Sequence, residues 1–314
     1  MNFFMHIPKT AGTSFRVAAE HYFGRERIVY DYGAASPVTS SLVQEFLFNA
    51  RPADKTGFYR ECARHEVALL AGHKALARFL DGVGLAGAIT FLRDPLERAF
   101  SEYLHFCRED RFQGSFRDYF LQARINHQSG MFSGVPPRAV GFVGITERYD
   151  DSLRLLNAHF GWRIRKRRVN RARWRDPGPD SISAEECADF YERNAKDVAL
   201  YRDVCWYLDQ RLRMHKQGQP FAHAALESCK DGKVKGWAFW AKPGPGPVIV
   251  EVRRNGVAVC RATADRPNRS LGRHGAPENG RVAFAARVSM QPGDEITAVV
   301  APTGQPLCPQ PVKV

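Results

Sequence analysis

The chain has 314 residues, 44% hydrophobic and 25% charged, which are globular values and leave room for one large domain or a large and a small one. Its 46 Lys and Arg against 33 Asp and Glu give a formal charge of +13, which points to anionic partners without saying which kind. No apolar run reaches the roughly 18–20 residues of a membrane span, and the first residues lack a basic segment followed by an apolar one, so neither a span nor a leader is expected.

The positive excess is not one tail. Residues 221–314 carry 13 Lys and Arg and 7 Asp and Glu, and the remainder carries 33 and 26. Seven cysteines are scattered with none at C-x-x-C spacing, which argues against a zinc site or a redox pair. No metal is expected. An odd, irregular set fits reduced thiols, and the expected location is cytoplasmic.

In chain order, Asn2 to Ile7 is an apolar run that ends in a Pro-Lys turn, and Phe15 to Phe23 reads as a helix stopped by Gly24. Ile28 to Tyr30 is a short strand, Ser40 to Asn49 a helix, and residues 51–66 a polar loop. Val67 to Ala71 and Gly87 to Leu92 are continuous apolar runs that suit strands buried on both faces. The second is followed by Asp94-Pro95, an N-cap and a first-turn proline. Further helices are expected over 115–125, Tyr149 to Phe160 and, as one or two, Ser183 to Arg213, with a strand over Gly141 to Ile145. Apolar runs that end in polar loops before helices describe an open parallel α/β sheet, whose ligands sit at the carboxyl ends of the strands.

From about Phe221 the texture changes. Glycine and proline rise, helical periodicity is lost, and Val234 to Trp240, Val248 to Arg254, Val257 to Ala262, Arg281 to Val288 and Glu295 to Val300 read as short strands. A small all-β module, a sandwich, is expected over 221–314 after an α/β domain over 1–220.

The stretch His6-Ile7-Pro8-Lys9-Thr10-Ala11-Gly12-Thr13-Ser14 is a strand end, a tight loop and a helix start. The first N–H groups of a helix lack internal partners and carry partial positive charge, so such a loop suits a phosphate-like anion. Ala11 and Gly12 let the anion approach, Thr10, Thr13 and Ser14 offer hydroxyls, and Lys9 adds a full charge. It is not a Walker A loop, since Lys9 precedes the small residues. An ordinary strand-to-helix turn is the plain alternative.

These residues resemble the 5′-phosphosulfate loop of carbohydrate sulfotransferases that use 3′-phosphoadenosine 5′-phosphosulfate (PAPS), in the branch of the heparan sulfate 2-O-sulfotransferases. The resemblance covers about residues 1–215 and implies a P-loop-like fold with Lys9, Thr10, Ala11, Gly12, Thr13 and Ser14 at the donor. Arg93, at the end of a strand, and Ser101, two helical turns later, match the pair that holds the donor's 3′-phosphate. The plain alternative pairs Arg93 with Asp94 or Glu97. A Walker B reading of Asp94 finds no Walker A loop before it.

Gly72-His73 stands where the family carries its catalytic histidine, and an imidazole suits a base that takes the proton of an attacking hydroxyl. His65, His105 and His127 are lesser candidates for base or acceptor contact, and the amides of Asn126 to Gly134 for sugar hydroxyls. In the basic run Arg163 to Arg175, the resemblance carries only Arg171 and Arg173 to the donor nucleotide, and the rest reads equally as a solvated charge run. Its thin aromatic content argues against nucleic acid.

The expected activity is transfer of a sulfuryl group from PAPS to a hydroxyl of a carbohydrate or glycoconjugate acceptor. His73 and Lys9 would act at the reacting centre. The alternative is a non-catalytic binder of anionic glycan or nucleic acid with a degenerate donor site. Gly236 to Trp240 resembles β modules appended to carbohydrate-active transferases, with aromatics that pack its core or stack on sugars.

Overall fold

A computed structural model describes residues 1–167, 182–244 and 246–314. The chain divides into two compact units. The first comprises residues 1–83, 87–134 and 142–204, and the second residues 84–86, 135–141 and 205–314.

The first unit is built on a five-stranded parallel sheet: β1 Asn2–Met5, β2 Ile28–Asp31, β3 Leu69–Gly72, β4 Ala88–Leu92 and β5 Phe142–Ile145. The order is β2-β3-β1-β4-β5, and every neighbouring pair is parallel. Nearly every strand residue is buried, as apolar runs covered on both faces must be. Phe4, Phe15 and Phe91 interlock beside the sheet, with ring centroids 4.6–6.3 Å apart.

The helices are α1 Gly12–Phe23, α2 Ser41–Val43, α3 Lys55–Arg64, α4 Leu80–Val83, α5 Pro95–Arg108, α6 Phe116–Gln122, α7 His127–Met131, α8 Tyr149–Phe160, α9 Ala184–Arg193 and α10 Ala195–Lys216. Asp94 caps α5 as expected, accepting from Leu96 N and Glu97 N at 3.0 and 3.1 Å. That work leaves its carboxylate committed within the chain. Ser183 and Glu186 form a capping box on α9.

Two readings are corrected. Residues 51–66 are not a loop: Asp54 accepts from Gly57 N at 2.8 Å and starts α3, whose buried Phe58 and Cys62 are four residues apart on one face. The surrounding charges hide that face in the sequence. The helix expected over Ser40 to Asn49 holds α geometry only through α2, and residues 44–49 widen into π turns.

The second unit contains two antiparallel sheets, and α10 contributes its last turns from Cys205 onward. One sheet joins β6 Ala222–Lys230, β7 Lys233–Trp240, β10 Arg266–Pro267 and β11 Arg281–Arg287. The other joins β8 Ile249–Arg254, β9 Val257–Thr263, β12 Glu295–Val300, β13 Gln305–Pro306 and β14 Val312–Lys313. A short helix, α11 Arg269–Arg273, follows β10. Alternate residues of both sheets fill one core, among them Ala224, Val234, Phe284, Val250, Ile296 and Ala298. Strand β6 was not expected from the sequence, because after its buried start the side chains lose a clean alternation. Trp237 is 1% exposed and Phe239 stacks on it at 5.7 Å, so both are packing residues.

Candidate functional site

Because the sheet is parallel, all five strands deliver their carboxyl ends to one edge. β1 lies between β3 and β4, so the loop after β1 rises between the loops that carry His73 and Arg93. Register makes this local: Gly72 pairs with both Met5 and Asp31. His6, Tyr32 and His73, each one residue further on, therefore emerge side by side. His6 N donates to Gly72 O at 2.9 Å.

The loop after β1 is tightly wound. Lys9 and Ala11 take left-handed backbone angles, φ 67° and 61°. For residues with a Cβ this conformation costs roughly 1–2 kcal/mol each. Thr10 is fully buried and its hydroxyl donates to Ile7 O at 2.9 Å. Thr10 thus closes the loop with the hydroxyl that the sequence offered to a ligand. No side chain caps α1. Its first N–H groups, including those of Gly12 and Thr13, have no acceptor within the helix. Gly12 is sterically required: a Cβ there would stand 2.0 Å from the His6 ring. Burial, with Arg108 and Arg93 nearby, holds the Lys9 ammonium below its ordinary value.

Arg93 turns back over this loop. Its Nη1 reaches Lys9 O at 3.5 Å, while Nη2 pairs with Glu97 at 2.9 Å. Ser101 lies one turn beyond Glu97 on α5, partly buried. Glu147 braces the junction by accepting from Asp94 N at 3.0 Å and from the Tyr201 hydroxyl at 3.1 Å.

His73 is edge-on to two rings, with centroids 4.5 Å from His6 and 4.7 Å from Tyr32. One side of it is exposed. Burial of the other, with His127 and Lys74 nearby, pushes its imidazole down to about 4, so it is neutral near pH 7. His127 is also held below its ordinary value, by burial and by Arg98. Its Nε2 is buried and has no partner among the described residues. His127 lines a cavity of about 390 Å³ with Glu102, Arg111, Tyr119, Arg124 and Phe112. Burial raises the Glu102 carboxyl, but Arg98 and the Tyr119 hydroxyl outweigh it and keep the group ionised.

A second cavity, of about 540 Å³, opens beside the loop and is lined by Ala11, Ser14, Thr146, Tyr149, Lys166 and Arg167. Lys166 is paired with Asp150. The start of the basic run is pinned, since the Asn157 amide bonds both Ile164 N and Ile164 O at 3.0 and 2.9 Å. Arg171 and Arg173 lie outside the described residues.

The amides of the 126–134 segment are otherwise engaged. Asn126 accepts from Lys196 N and Asp197 N, at 3.0 and 3.2 Å. Gln128 is fully buried and bonds the Arg93 main chain. They hold the fold and are not available to a sugar. His65 precedes β3 and so lies at the opposite edge of the sheet. His105 pairs with Glu109 at 3.3 Å on α5 and feels the Lys9 charge.

Sequence reasoning gave no individual role to His6 or Tyr32, and it offered the Gln128 amide to a sugar where the fold uses it to hold Arg93. His6 and Tyr32 follow the β1 and β2 runs, and the rule that ligands sit at strand ends is the signal that would have found them. Among the described residues no cluster of three or more His, Cys, Asp or Glu could hold a metal ion, and no helix is long and apolar enough to cross a membrane. No protein-family model matches the chain, and no curated protein matches it.

Proposed function

We propose that this protein is a PAPS-dependent sulfotransferase acting on a hydroxyl of a carbohydrate or glycoconjugate, with a P-loop-like first unit and a sandwich-like second one. The observation that carries the reading is the meeting, at one sheet edge, of a tight loop ending in an uncapped helix start, a charged Arg93 against that loop, and a neutral His73. The loop suits the 5′-phosphosulfate, and Arg93 with Ser101 suits the 3′-phosphate.

In this mechanism His73 takes the proton of the acceptor hydroxyl as its oxygen bonds to sulfur. The bond from sulfur to the 5′-phosphate oxygen breaks. Lys9 and the α1 N–H groups hold the negative charge on that departing oxygen. The products are a sulfate ester and 3′-phosphoadenosine 5′-phosphate (PAP), and His73 returns its proton to solvent.

One observation favours a second reading, a binder of anionic glycan or nucleic acid with a degenerate donor site. The Arg93 guanidinium is paired with Glu97 in a strongly basic chain. Calorimetric titration with PAP, ADP and AMP separates the two. Tight binding that needs the 3′-phosphate is expected of the enzyme, and no preference for it leaves the binder in front.

A further inference from the structure

We infer that His6 is a donor-site residue whose Nε2 contacts the 5′-phosphate end of the nucleotide. The inference rests on the reading above and adds a contact that the loop motif does not specify.

His6 is 6% exposed, so its polar atoms need partners. Nδ1 has one, the Tyr32 hydroxyl at 3.0 Å. Nε2 has no hydrogen bond to a described residue. The edge of the ring that carries Nε2 lies against the first residue of α1: a Cβ added to Gly12 would stand 2.0 Å from Cδ2 and 2.2 Å from Nε2. Nε2 is therefore beside the first residue of α1, a helix whose first N–H groups have no acceptor within it. In a side chain this buried, a nitrogen without a protein partner carries a desolvation cost. An anion in the loop removes that cost.

Tyr32 sets the proton. When its O–H donates to Nδ1, the imidazole proton sits on Nε2 and faces the loop as a donor. Burial keeps this arrangement stable to pH. It pushes the Tyr32 hydroxyl up to about 12 and the His6 imidazole down to about 3, so neither ionises in the working range. His6 is then a neutral, fixed donor beside the helix N–H groups, the kind of preorganised dipole that stabilises an oxyanion. With Nδ1 occupied and Nε2 protonated it is no base, which leaves that role to His73.

The test is calorimetric titration of wild type, His6→Phe, His6→Gln and Tyr32→Phe with PAP and with 3′-AMP, which lacks the 5′-phosphate. Phenylalanine keeps a ring against Gly12 and His73 but carries no N–H. In His6→Phe, PAP is expected to weaken at least about tenfold and 3′-AMP less than about twofold. His6→Gln, whose amide reaches the Nε2 position, should recover PAP affinity to within about threefold of wild type. If His6→Phe does not fold, Tyr32→Phe leaves the imidazole in place but frees its tautomer, and should weaken PAP about threefold while sparing 3′-AMP. Unchanged PAP affinity in the folded variant, or equal loss of both nucleotides, overturns the inference and leaves the sulfotransferase reading standing. A wild type with no preference for PAP over ADP removes that reading and this contact with it.

Discussion

The side-chain amide of Gln128 closes both main-chain hydrogen-bonding positions of Arg93: Oε1 accepts Arg93 N at 3.0 Å and Nε2 donates to Arg93 O at 2.8 Å. α7 is thereby locked to the end of β4. Its own start is locked again, because the Asp197 carboxylate accepts from Gln128 N and Ser129 N at 2.9 and 2.7 Å. His127, between Asn126 and Gln128, is held by both. Gln128→Ala strips partners from two partly buried main-chain groups, so unfolding free energy should fall by about 1–3 kcal/mol in urea denaturation. A loss under about 0.5 kcal/mol would mean that other groups replace the amide.

Arg93→Ala removes the guanidinium but keeps the main-chain pair with Gln128. The lost ion pair with Glu97 is partly exposed, and such pairs are worth about 0–1 kcal/mol. Stability should therefore barely change. PAP affinity, which in the proposed enzyme needs the fork on the 3′-phosphate, should fall at least about a hundredfold. Stability and binding thus part company at Arg93. Equal PAP affinity in Arg93→Ala would remove the residue from the donor site.

The parallel sheet was legible because its strands are short apolar runs, each ending in a polar loop, and Asp94-Pro95 announced α5 through its cap chemistry. The tight loop after β1 was legible as small residues after a strand. What the sequence does not carry is register. That His6, Tyr32 and His73 meet depends on Gly72 pairing with Met5 on one side and Asp31 on the other. Gln128 illustrates the same limit: a polar residue in a polar segment reads as surface, and only the fold shows it fully buried on a main chain 35 residues away. The Gln305 amide repeats the device in the second unit, bonding Ala222 N and O at 2.9 and 2.7 Å. The third helix fails to show for the opposite reason, since its buried Phe58 and Cys62 are outnumbered by charges.

Acid should destabilise the protein well above the carboxylate range. Burial lowers His6 to about 3, His73 to about 4 and His223 to about 3, against 6.5 unfolded. The unfolded chain then binds more protons than the native one between pH 6.5 and about 4. Stability from these groups is fully present above the unfolded value and is lost as pH falls through that window. Urea midpoints measured from pH 8 to pH 4.5 should be flat down to about pH 7 and then decline. A flat midpoint down to pH 5 would show that the native histidines protonate freely.

His73 offers the closest reading of the proposed chemistry. Its exposed side is open to an acceptor, while His6 and Tyr32 pack the other. A base depressed to about 4 stays neutral throughout the working range, so proton abstraction should not require a rise in pH through 6.5. Proton NMR of the imidazoles, with His73→Ala to assign the resonance, should give a midpoint near 4. A midpoint near 6.5 would mean that the surrounding rings do not desolvate it. The same variant should keep PAP affinity within about twofold and lose transfer of labelled sulfate from PAPS. Removing the base spares the donor loop, so loss of both would place His73 in donor binding, and loss of neither would remove it from the reaction.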